Sequence, residues 1–489
     1  MVFSSITFLL WFLPAMLLLF HAAPRALRFP ALLLGSLAFY FYGENWLILV
    51  MVASTLIDYA CALMISGAWR GGGVQPLAPG GPRTPWQRAW LAASVISNLA
   101  LLACFKYLNF LADNVIALLH ALDLAHLRAD SIVRIALPLG ISFYTFQSMS
   151  YTIDVYRGHV RANRSLLQFS TYVTMFPQLV AGPIVRYADI ERELVHPKRS
   201  VAQFAEGVRR FIGGLAKKAL IANPMAIVAD RAFALPESEL TCGIVWAGTA
   251  AYTLQIYFDF SGYSCMAIGL GKMFGFDFPE NFNFPYIAQT VRDFWHRWHI
   301  TLSTWFRDYV YFPLGGSRGS ELRTWRNLLI VFVTCGLWHG ASWNFVLWGL
   351  FHGTFISLER TRAGKVLARL PSLVRNAYLM LVVMVGWILF RCESLSHAGA
   401  LIQRLVPHHS RSVRSAEEIV RSEGWIVMAI GIALSLPIVP WLRARVDRQR
   451  AHRRVIAELA WMASLGMLLV LSVASLAAGG YNPFIYFRF

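Results

Sequence analysis

Long apolar runs separated by short polar segments dominate the pattern of this 489-residue chain. A helix that crosses a bilayer needs roughly 17–25 mostly apolar residues, and runs near that length recur along the whole chain. They lie at 5–20, 30–42, 45–66, 89–105, 132–150, 203–228, 243–258, 327–345, 346–358, 373–390, 424–442 and 457–478. The pattern predicts an all-α, polytopic membrane bundle of about ten to twelve helices, some of them short or re-entrant.

Composition supports a membrane protein. Hydrophobic residues make up 57% of the chain and charged residues only 14%, whereas soluble domains carry about 25% charged residues. Length alone would suggest about three domains of ~150 residues, but the hydropathy favours one integral-membrane domain over residues 1–489. The first apolar run lacks the cationic start and the A-x-A cleavage site of a secretory signal, so we expect it to stay in the mature protein as a helix.

Three segments depart from the pattern of plain membrane helices. The segment 138–156 carries Gln147 and Asp154 among aromatic residues, and 175–186 holds two prolines and a glycine in a short apolar run. A membrane tolerates such interrupted segments only where they line a protein cavity. We therefore predict broken or re-entrant helices at both places. The Gly/Pro-rich stretch 71–85 predicts a non-helical linker.

The positive charges lie mainly in short loops between the apolar runs. The chain has 44 Lys and Arg against 26 Asp and Glu, and short basic loops mark the cytoplasmic side of a membrane. The loops at 25–28, 70–88, 360–369 and 443–454 therefore predict that both termini are extracytoplasmic and that the number of crossings is even. This placement explains the basicity without a nucleic-acid partner. The cationic belt 186–218 has two explanations: it attracts the phosphates of an anionic cytoplasmic ligand, or it is an ordinary topology signal.

The six cysteines lie far apart and form neither a C-x-x-C pair nor a Cys/His cluster. The sequence therefore predicts neither a disulfide framework nor a zinc site. Cys335 lies one helical turn before His339, and we interpret it as a packing residue because free cysteine is common in apolar interiors.

The polar residues that carry chemistry concentrate in the segment 252–353. Asp259 interrupts an aromatic, apolar run, and a carboxylate there needs a partner or a wet cavity; a helix end at the interface is the alternative. The segment 291–312 mixes cations with tryptophans, as a helix at a membrane interface or in a funnel does. His296 and His299 are three residues apart and could share a helical face, yet two histidines without a third ligand make a poor metal site.

His339 lies inside the apolar run that starts at Leu328. An ionisable side chain at membrane depth is a functional-site hypothesis by default. A neutral imidazole can take a proton from a hydroxyl at physiological pH; a hydrogen-bonded packing histidine is the alternative. Gly336 and Gly340 predict close approach of another helix or a substrate. His352, in the next helix, is interpreted as a packing residue.

Two long motifs resemble a known family. The segments FWHRWHITLSTWFRDYVYFPLGG and GLWHGASWNFVLWGLFHG resemble the signature of the bacterial membrane-bound O-acyltransferases, in the branch of the alginate O-acetylation proteins. The segments PLGISFYTFQSMSYTIDVYRG, FPQLVAGPIVR, QIYFDFSGYSCMAIGLG and ENFNFPY resemble the same branch, in the same order. One departure is visible, because His296 occupies the first position of the expected Arg-Arg-Trp-His.

The resemblance implies a helical bundle around a funnel, in which an acyl group moves from a cytoplasmic thioester, most simply acetyl-CoA, to a hydroxyl. It implies that His339 is the general base and that His299 positions the donor or relays the proton. No metal and no cofactor other than the donor are expected. Four residues are candidates for substrate binding without an assigned role: Asp259, Arg307, Asp308 and Asn344.

The resemblance further implies a bacterial inner-membrane enzyme. It would hand the acetyl group to extracytoplasmic acetyltransferase partner proteins that modify a polysaccharide such as alginate. Another envelope polymer, such as peptidoglycan, cellulose or teichoic acid, is an alternative acceptor. An alternative of a different class is a transporter or flippase in which His339 and Asp259 form a proton path. No internal repeat stands out, which weakens the transporter hypothesis.

Overall fold

The computed structural model describes residues 1–70, 76–123, 135–180, 182–407, 414–448 and 451–483. These residues form helices, turns and irregular segments, and no strand occurs among them. The all-α prediction is confirmed. Part of the predicted linker, 71–75, and the end of the C-terminal tail, 484–489, lie outside the described residues. The remainder of the linker is non-helical up to Pro85, where the next helix begins.

Five helical segments of the described chain are long and apolar enough to cross a membrane: Arg25–Ser66, Pro85–Ala121, Val201–Phe233, Ser372–Arg391 and Arg454–Ala477. A sixth candidate is the pair Ala416–Leu434 and Ile438–Val446, which is bent by 60°. The predicted run 424–442 is therefore not one straight helix. These segments confirm a polytopic membrane protein. The count of ten to twelve helices stays a prediction, because the other helices are shorter or less apolar.

The contacts divide the chain into two compact units. The first comprises Met1–Val2, Thr7–Ala205 and Leu270–Pro279, and the second comprises Phe3–Ile6, Glu206–Gly269 and Glu280–Phe489. The prediction of a single domain stays a prediction.

The first unit contains a set of apolar helices and several shorter ones. They are α1 (Leu13–Ala22), α2 (Arg28–Glu44), α3 (Ile48–Ser66), α4 (Pro85–Leu102), α5 (Leu108–Ala121), α6 (Ile141–Arg157), α7 (Leu166–Thr174), α8 (Phe176–Leu179), α9 (Tyr187–Val195) and the start of α10 (Val201–Ala216). Helix α4 begins cleanly because Thr84 and Gln87 form a reciprocal capping box, with Pro85 at the first helical position.

The two predicted broken segments of the first unit differ in the structure. The segment 138–156 was expected to be broken or re-entrant, and this is wrong: α6 runs without a break from Ile141 to Arg157, after Gly140 in the left-handed conformation (φ 76°). The segment 175–186 forms the single helical turn α8, with all four residues buried, as a broken helix requires. Ala181, within this segment, lies outside the described residues.

The second unit carries most of α10 and the remaining helices. They are α11 (Asn223–Phe233), α12 (Cys242–Phe274), α13 (Val291–Arg297), α14 (Ile300–Phe306), α15 (Glu321–His339), α16 (Trp343–Leu358), α17 (Arg362–Leu367), α18 (Ser372–Arg391), α19 (Leu395–Arg404), α20 (Ala416–Leu434), α21 (Ile438–Asp447) and α22 (Ala451–Ala477). The last turns of α12, from Leu270, belong to the first unit.

Helices α15 and α16 form a tight hairpin. A Cβ at Gly336 would lie 2.1 Å from the carbonyl oxygen of Phe345, and one at Gly349 would lie 2.2 Å from that of Phe332. Only glycine permits this backbone approach, so the predicted small-residue contact is confirmed at Gly336. The predicted boundary between the runs 327–345 and 346–358 is wrong. The turn falls after His339, and α15 begins already at Glu321, where Ser320 caps it.

The two ends of the chain meet within the second unit. Asn482 Nδ2 donates to the carbonyl oxygen of Ser4 at 3.2 Å, and Asn223 donates to Asn482 at 3.2 Å. The rings of Phe3 and Tyr263 stack at 4.5 Å. Both chain ends are therefore attached to the same region of this unit.

Candidate active site

His299 lies at a break between two short helices. The segment 291–312, expected as one amphipathic helix, is instead divided into α13, α14 and a π-helical turn at Arg307–Tyr311. His299 itself has φ 43° and ψ 55°, a left-handed conformation that costs a non-glycine residue roughly 1–3 kcal/mol and persists only where the surroundings enforce it. His296 is exposed on α13, so the expected shared helical face of the two histidines is wrong.

Asn281 fixes the orientation of the His299 ring. His299 Nδ1 lies 3.0 Å from Asn281 Oδ1. The same oxygen accepts the hydroxyl of Thr301 at 2.9 Å and its backbone N–H at 3.3 Å, while Asn281 Nδ2 donates to Ser264 Oγ at 3.1 Å. Two donors from Thr301 identify the facing atom of Asn281 as the oxygen. Because an oxygen accepts, Nδ1 of His299 must carry the proton.

The other ring nitrogen of His299 is then a hydrogen-bond acceptor. The side chain is fully buried, and Nε2 has no hydrogen-bond partner among the described residues. Burial lowers the pKa of His299 well below its ordinary value, so the ring stays neutral. A neutral imidazole with its lone pair at Nε2 can accept a hydrogen bond or a proton from a bound molecule.

His339 ends α15 at the tip of the hairpin. It is 5% exposed, and three aromatic rings surround it at steep angles. The ring centroids of Trp338, Trp348 and Phe390 lie 4.9, 5.2 and 5.2 Å from that of the imidazole. This enclosure excludes bulk water from the ring, so electrostatic interactions with a bound hydroxyl are strengthened there.

The indole of Trp338 brings the two predicted catalytic histidines together. Its ring centroid lies 6.0 Å from that of His299 and 4.9 Å from that of His339. Phe260 of α12 covers the other edge of His299 at 4.6 Å. The two motifs, which are separate in the sequence, thus form one cluster in the second unit. Their catalytic roles stay predictions.

Asp259 has the partner that its position requires. Its carboxylate lies 2.6 Å from Lys218 Nζ, with both side chains 2% exposed. Lys218, in the π-helical segment Lys217–Ala222, also donates to the carbonyl oxygen of Pro483. Asp259 stands in the middle of α12, so the alternative of a helix-end carboxylate is wrong. Its neighbour Phe260 contacts His299, which places the ion pair beside the cluster.

The other predicted substrate-binding residues occupy different surroundings. Arg307 Nε pairs with Asp308 Oδ1 at 2.7 Å, and the arginine side chain is 51% exposed. Asn344 is buried in the first turn of α16 and donates to the carbonyl oxygen of Cys392 at 2.8 Å. The hydrogen bond of Asn344 joins the tip of the hairpin to the end of α18. Substrate binding by these residues stays a prediction.

His352 packs among aromatic rings, but both of its ring nitrogens are buried without a hydrogen-bond partner among the described residues, so its interpretation as a packing residue stays a prediction. Its ring lies between Trp295 at 5.3 Å and Trp348 at 5.1 Å, and a Cβ at Gly386 would lie 2.7 Å from its Nε2. Among the described residues, no group of three or more His, Cys, Asp or Glu side chains could hold a metal ion.

Asn281, Ser264 and Glu359 were not predicted as site residues from the sequence. Asn281 lies in the ENFNFPY segment that carried part of the resemblance, and this is the only signal that could have drawn attention to it. Glu359 follows α16, and its oxygens accept the backbone N–H groups of Val291 and Arg292 at 2.7 and 3.2 Å. It therefore anchors the start of α13, the helix that leads to His299.

Comparisons with known proteins identify the family of the chain. The profile of the membrane-bound O-acyltransferase family matches residues 157–395, which include both histidines. A probable alginate O-acetylase of Azotobacter vinelandii is 38% identical over 516 residues, covering 100% of both chains. One from Pseudomonas aeruginosa is 42% identical over 405 residues, which are 83% of this chain and 75% of that protein. A peptidoglycan O-acetyltransferase of Helicobacter pylori is 30% identical over 535 residues, covering 100% of this chain and 98% of its own.

The full-length similarity confirms the family that the motifs indicated, and the activity shared by these relatives is acyl transfer. The chain is therefore an acyltransferase of the membrane-bound O-acyltransferase family, in the branch of the alginate O-acetylation proteins.

Proposed function

We propose that this protein takes an acetyl group from acetyl-CoA at the cytoplasmic face of a bacterial inner membrane and moves it outward for O-acetylation of a polysaccharide, with alginate as the first candidate. The single observation that carries the proposal is the cluster in which Trp338 contacts both His299 and His339. The 38% identity over the full chain to a probable alginate O-acetylase supports the choice of acetyl group and polymer.

In the proposed reaction, His339 takes the proton of an acceptor hydroxyl while the hydroxyl oxygen attacks the thioester carbonyl. The new C–O bond forms, the C–S bond breaks, and the proton passes to the leaving thiolate of CoA. A base of this kind contributes typically ~10²–10⁴-fold to the rate. His299 Nε2 accepts a hydrogen bond from an amide N–H of the pantetheine arm, and this bond positions the thioester.

The depth of His339 supports a transfer across the membrane. At about 1.5 Å per residue, the apolar part of α15 from Leu328 to His339 rises about 17 Å, roughly half of the ~30 Å hydrocarbon thickness. The start of α15 and the end of α16 are both basic. Arg323 and Arg326 precede the apolar part of α15, and Arg360 and Arg362 follow α16. Because basic segments favour the cytoplasmic side, the hairpin would enter the membrane from that side and place His339 near the middle of the bilayer.

The meeting of the two chain ends supports an even number of crossings. Ser4 and Asn482 are hydrogen bonded, so both ends lie on the same side of the second unit. The basic loops near Arg25 and Arg443 favour the cytoplasmic side. Each chain end is separated from one of these loops by one apolar run, so both ends would be extracytoplasmic. Reporter fusions at residues 1 and 489 test this topology, and a cytoplasmic signal at either end would overturn it.

Acetylation of cell-surface polymer tests the function in vivo. In a strain whose own gene is deleted, the wild-type protein should restore acetyl esters on the polysaccharide, whereas His339→Asn and His299→Ala should not. His296→Ala is the matched control, because His296 is exposed three residues before His299. Loss of acetyl esters after deletion of a separate extracytoplasmic acetyltransferase, with the wild-type protein present, would support the proposed partner proteins.

A second acceptor, peptidoglycan, is favoured by the 30% identity over the whole chain to a peptidoglycan O-acetyltransferase. Analysis of both polymers from the same cells separates the two possibilities. Acetyl esters that follow this gene on peptidoglycan alone would replace alginate as the acceptor.

A further inference from the structure

A second polar site lies in the second unit, lined by residues other than those of the histidine cluster. It is a cavity of about 460 Å³ beside the start of α13, lined by Thr290, Trp325, Ile356 and a few residues between Glu359 and Arg375, of which Arg369 is not one. Three arginines line it: Arg292, Arg360 and Arg375. They come from three different elements, α13, the loop after α16 and the first turn of α18.

None of these arginines forms a salt bridge within 4 Å in the part of the chain that the structure describes, although Arg292 interacts electrostatically with Glu359. No carboxylate oxygen of the described residues lies within 4 Å of their guanidinium nitrogens, and Nε of Arg375 is buried without a hydrogen-bond partner there. A buried donor left without an acceptor is costly, and more so when it is charged. The cavity therefore contains cationic donors that an added acceptor would satisfy.

Glu359 is a half-buried lining residue of this cavity, and its carboxylate already accepts hydrogen bonds. Glu359 accepts the backbone N–H groups of Val291 and Arg292, and the hydroxyl of Tyr378 at 3.4 Å. These bonds hold the carboxylate at the start of α13. Glu321, the other acidic lining residue, is exposed, as are Arg292 and Arg360, whereas Arg375 is half-buried.

The chemistry of the lining fits a phosphate group. Arginine presents a planar fork of donors that binds phosphate oxygens in pairs, and such charge-assisted bonds are about twice as strong as neutral ones. Trp325 adds a half-buried aromatic ring in the wall, and an aromatic ring is a surface on which a purine base can stack.

We propose that this cavity binds a phosphate-bearing ligand through Arg292, Arg360 and Arg375. Two sources share that chemistry: the 3′-phosphoadenosine diphosphate part of CoA, of which adenosine 3′,5′-bisphosphate is a fragment, and the headgroup of an anionic phospholipid. The CoA source rests on the proposed function and would place the phosphate end of the donor at the start of the helix that leads to His299. The lipid source does not depend on acetyl transfer.

Binding of adenosine 3′,5′-bisphosphate tests the CoA source without any turnover. Full-length protein in phosphatidylcholine nanodiscs is titrated with this nucleotide by calorimetry. The double variant Arg360→Gln/Arg375→Gln should bind at least about tenfold more weakly than wild type, because each lost charge-assisted bond removes a large share of the affinity. Arg369→Gln, an exposed arginine on the same basic segment, is the matched control and should bind within about twofold of wild type.

Thermal unfolding in two lipids tests the other source. If the occupant is a lipid headgroup, phosphatidylglycerol nanodiscs should raise the Tm of wild type and Arg369→Gln relative to phosphatidylcholine, and the double variant should lose that rise. The single variant Arg360→Gln, at an exposed residue, keeps the test valid if the double variant folds poorly. Equal behaviour of wild type and both arginine variants toward both probes overturns the proposal, whether or not acetyl-CoA is turned over.

Discussion

The two histidines of the cluster are held in opposite ways. His299 stands in a left-handed break and is fixed by hydrogen bonds, from its Nδ1 through Asn281 to Thr301 and Ser264. His339 ends a regular helix and is enclosed by the rings of Trp338, Trp348 and Phe390. The first arrangement defines a tautomer and a direction for the lone pair. The second defines the depth of the ring and excludes water from it.

Because the two histidines are held differently, different substitutions should disturb them. A hydrogen-bonded histidine loses its orientation when one polar partner is removed, because the orientation depends on a few directional contacts. A ring held by packing tolerates single polar changes nearby but depends on the close approach of its helices.

The largest effect is expected at the imidazole of His339 itself. His339→Asn should lower acetyl transfer by at least about 100-fold, since an amide fills similar space and forms hydrogen bonds but cannot take a proton at neutral pH. Initial rates of CoA release and acetyl esters on polymer measure the change. Near-normal transfer in a variant present at normal abundance would make His339 a packing residue.

Removal of Asn281 should separate orientation from binding at His299. Asn281→Ala should lower kcat by roughly tenfold to a hundredfold, because the buried ring loses the acceptor that fixes its tautomer. Asn281→Asp should recover part of the loss, since a carboxylate oxygen also accepts a hydrogen bond from Nδ1–H. Steady-state kinetics on membranes check both variants. Equal losses in Asn281→Ala and Asn281→Asp, with Tm unchanged, would contradict the tautomer assignment.

The packing of the hairpin should fail when its glycines are filled. Gly336→Ala would put a methyl 2.1 Å from a backbone carbonyl oxygen, so α15 and α16 must separate, at a cost of about 1–3 kcal/mol. The Tm of purified protein should fall. Gly466→Ala is the matched control in α22, where the added methyl meets no atom within 4 Å, and its Tm should stay the same or rise. An equal Tm in the two variants would show that the approach at Gly336 does not support the hairpin.

The smallest effect is expected at Glu359, which anchors the start of α13. Burial raises the pKa of Glu359 above its ordinary value of 4.5, although its backbone hydrogen bonds oppose the shift. The folded state therefore binds this proton more tightly than the unfolded state, and stability falls as pH rises from 4.5 through the raised pKa. Glu359→Gln should flatten that part of the profile of Tm against pH. An unchanged slope would show that Glu359 does not titrate there.

The regular helices could be predicted from the sequence because burial in lipid imposes a length and an apolar composition. The run 45–66 corresponds to Ile48–Ser66, and the run 373–390 to Ser372–Arg391. The break at His299 could not be predicted. Local sequence there is amphipathic and favours a continuous helix, and the backbone is turned by tertiary bonds, including that of Ile300 N–H to the carbonyl oxygen of Asn281 at 3.0 Å.

The candidate site was predictable only in part for the same reason. The apolar surroundings of Asp259 showed that the carboxylate needs a partner, but they did not identify Lys218, because several cations of the belt 186–218 were equivalent in the sequence. The contact of His299 with His339 through Trp338 depends on how α12, α13 and α15 pack. Hydropathy and motif spacing do not determine that packing.

The most direct test of the central claim is acetyl transfer in inside-out membrane vesicles. Vesicles from cells that produce the protein with its polymer and partner proteins receive radiolabelled acetyl-CoA on the former cytoplasmic face, and label on material enclosed in the lumen is counted. Wild type and His296→Ala should place label in the lumen with matching release of free CoA, and His339→Asn should do neither. Two results would contradict the claim that His339 catalyses acetyl transfer across the membrane. One is lumenal label as high with His339→Asn as with wild type, and the other is CoA release without any lumenal label in wild type.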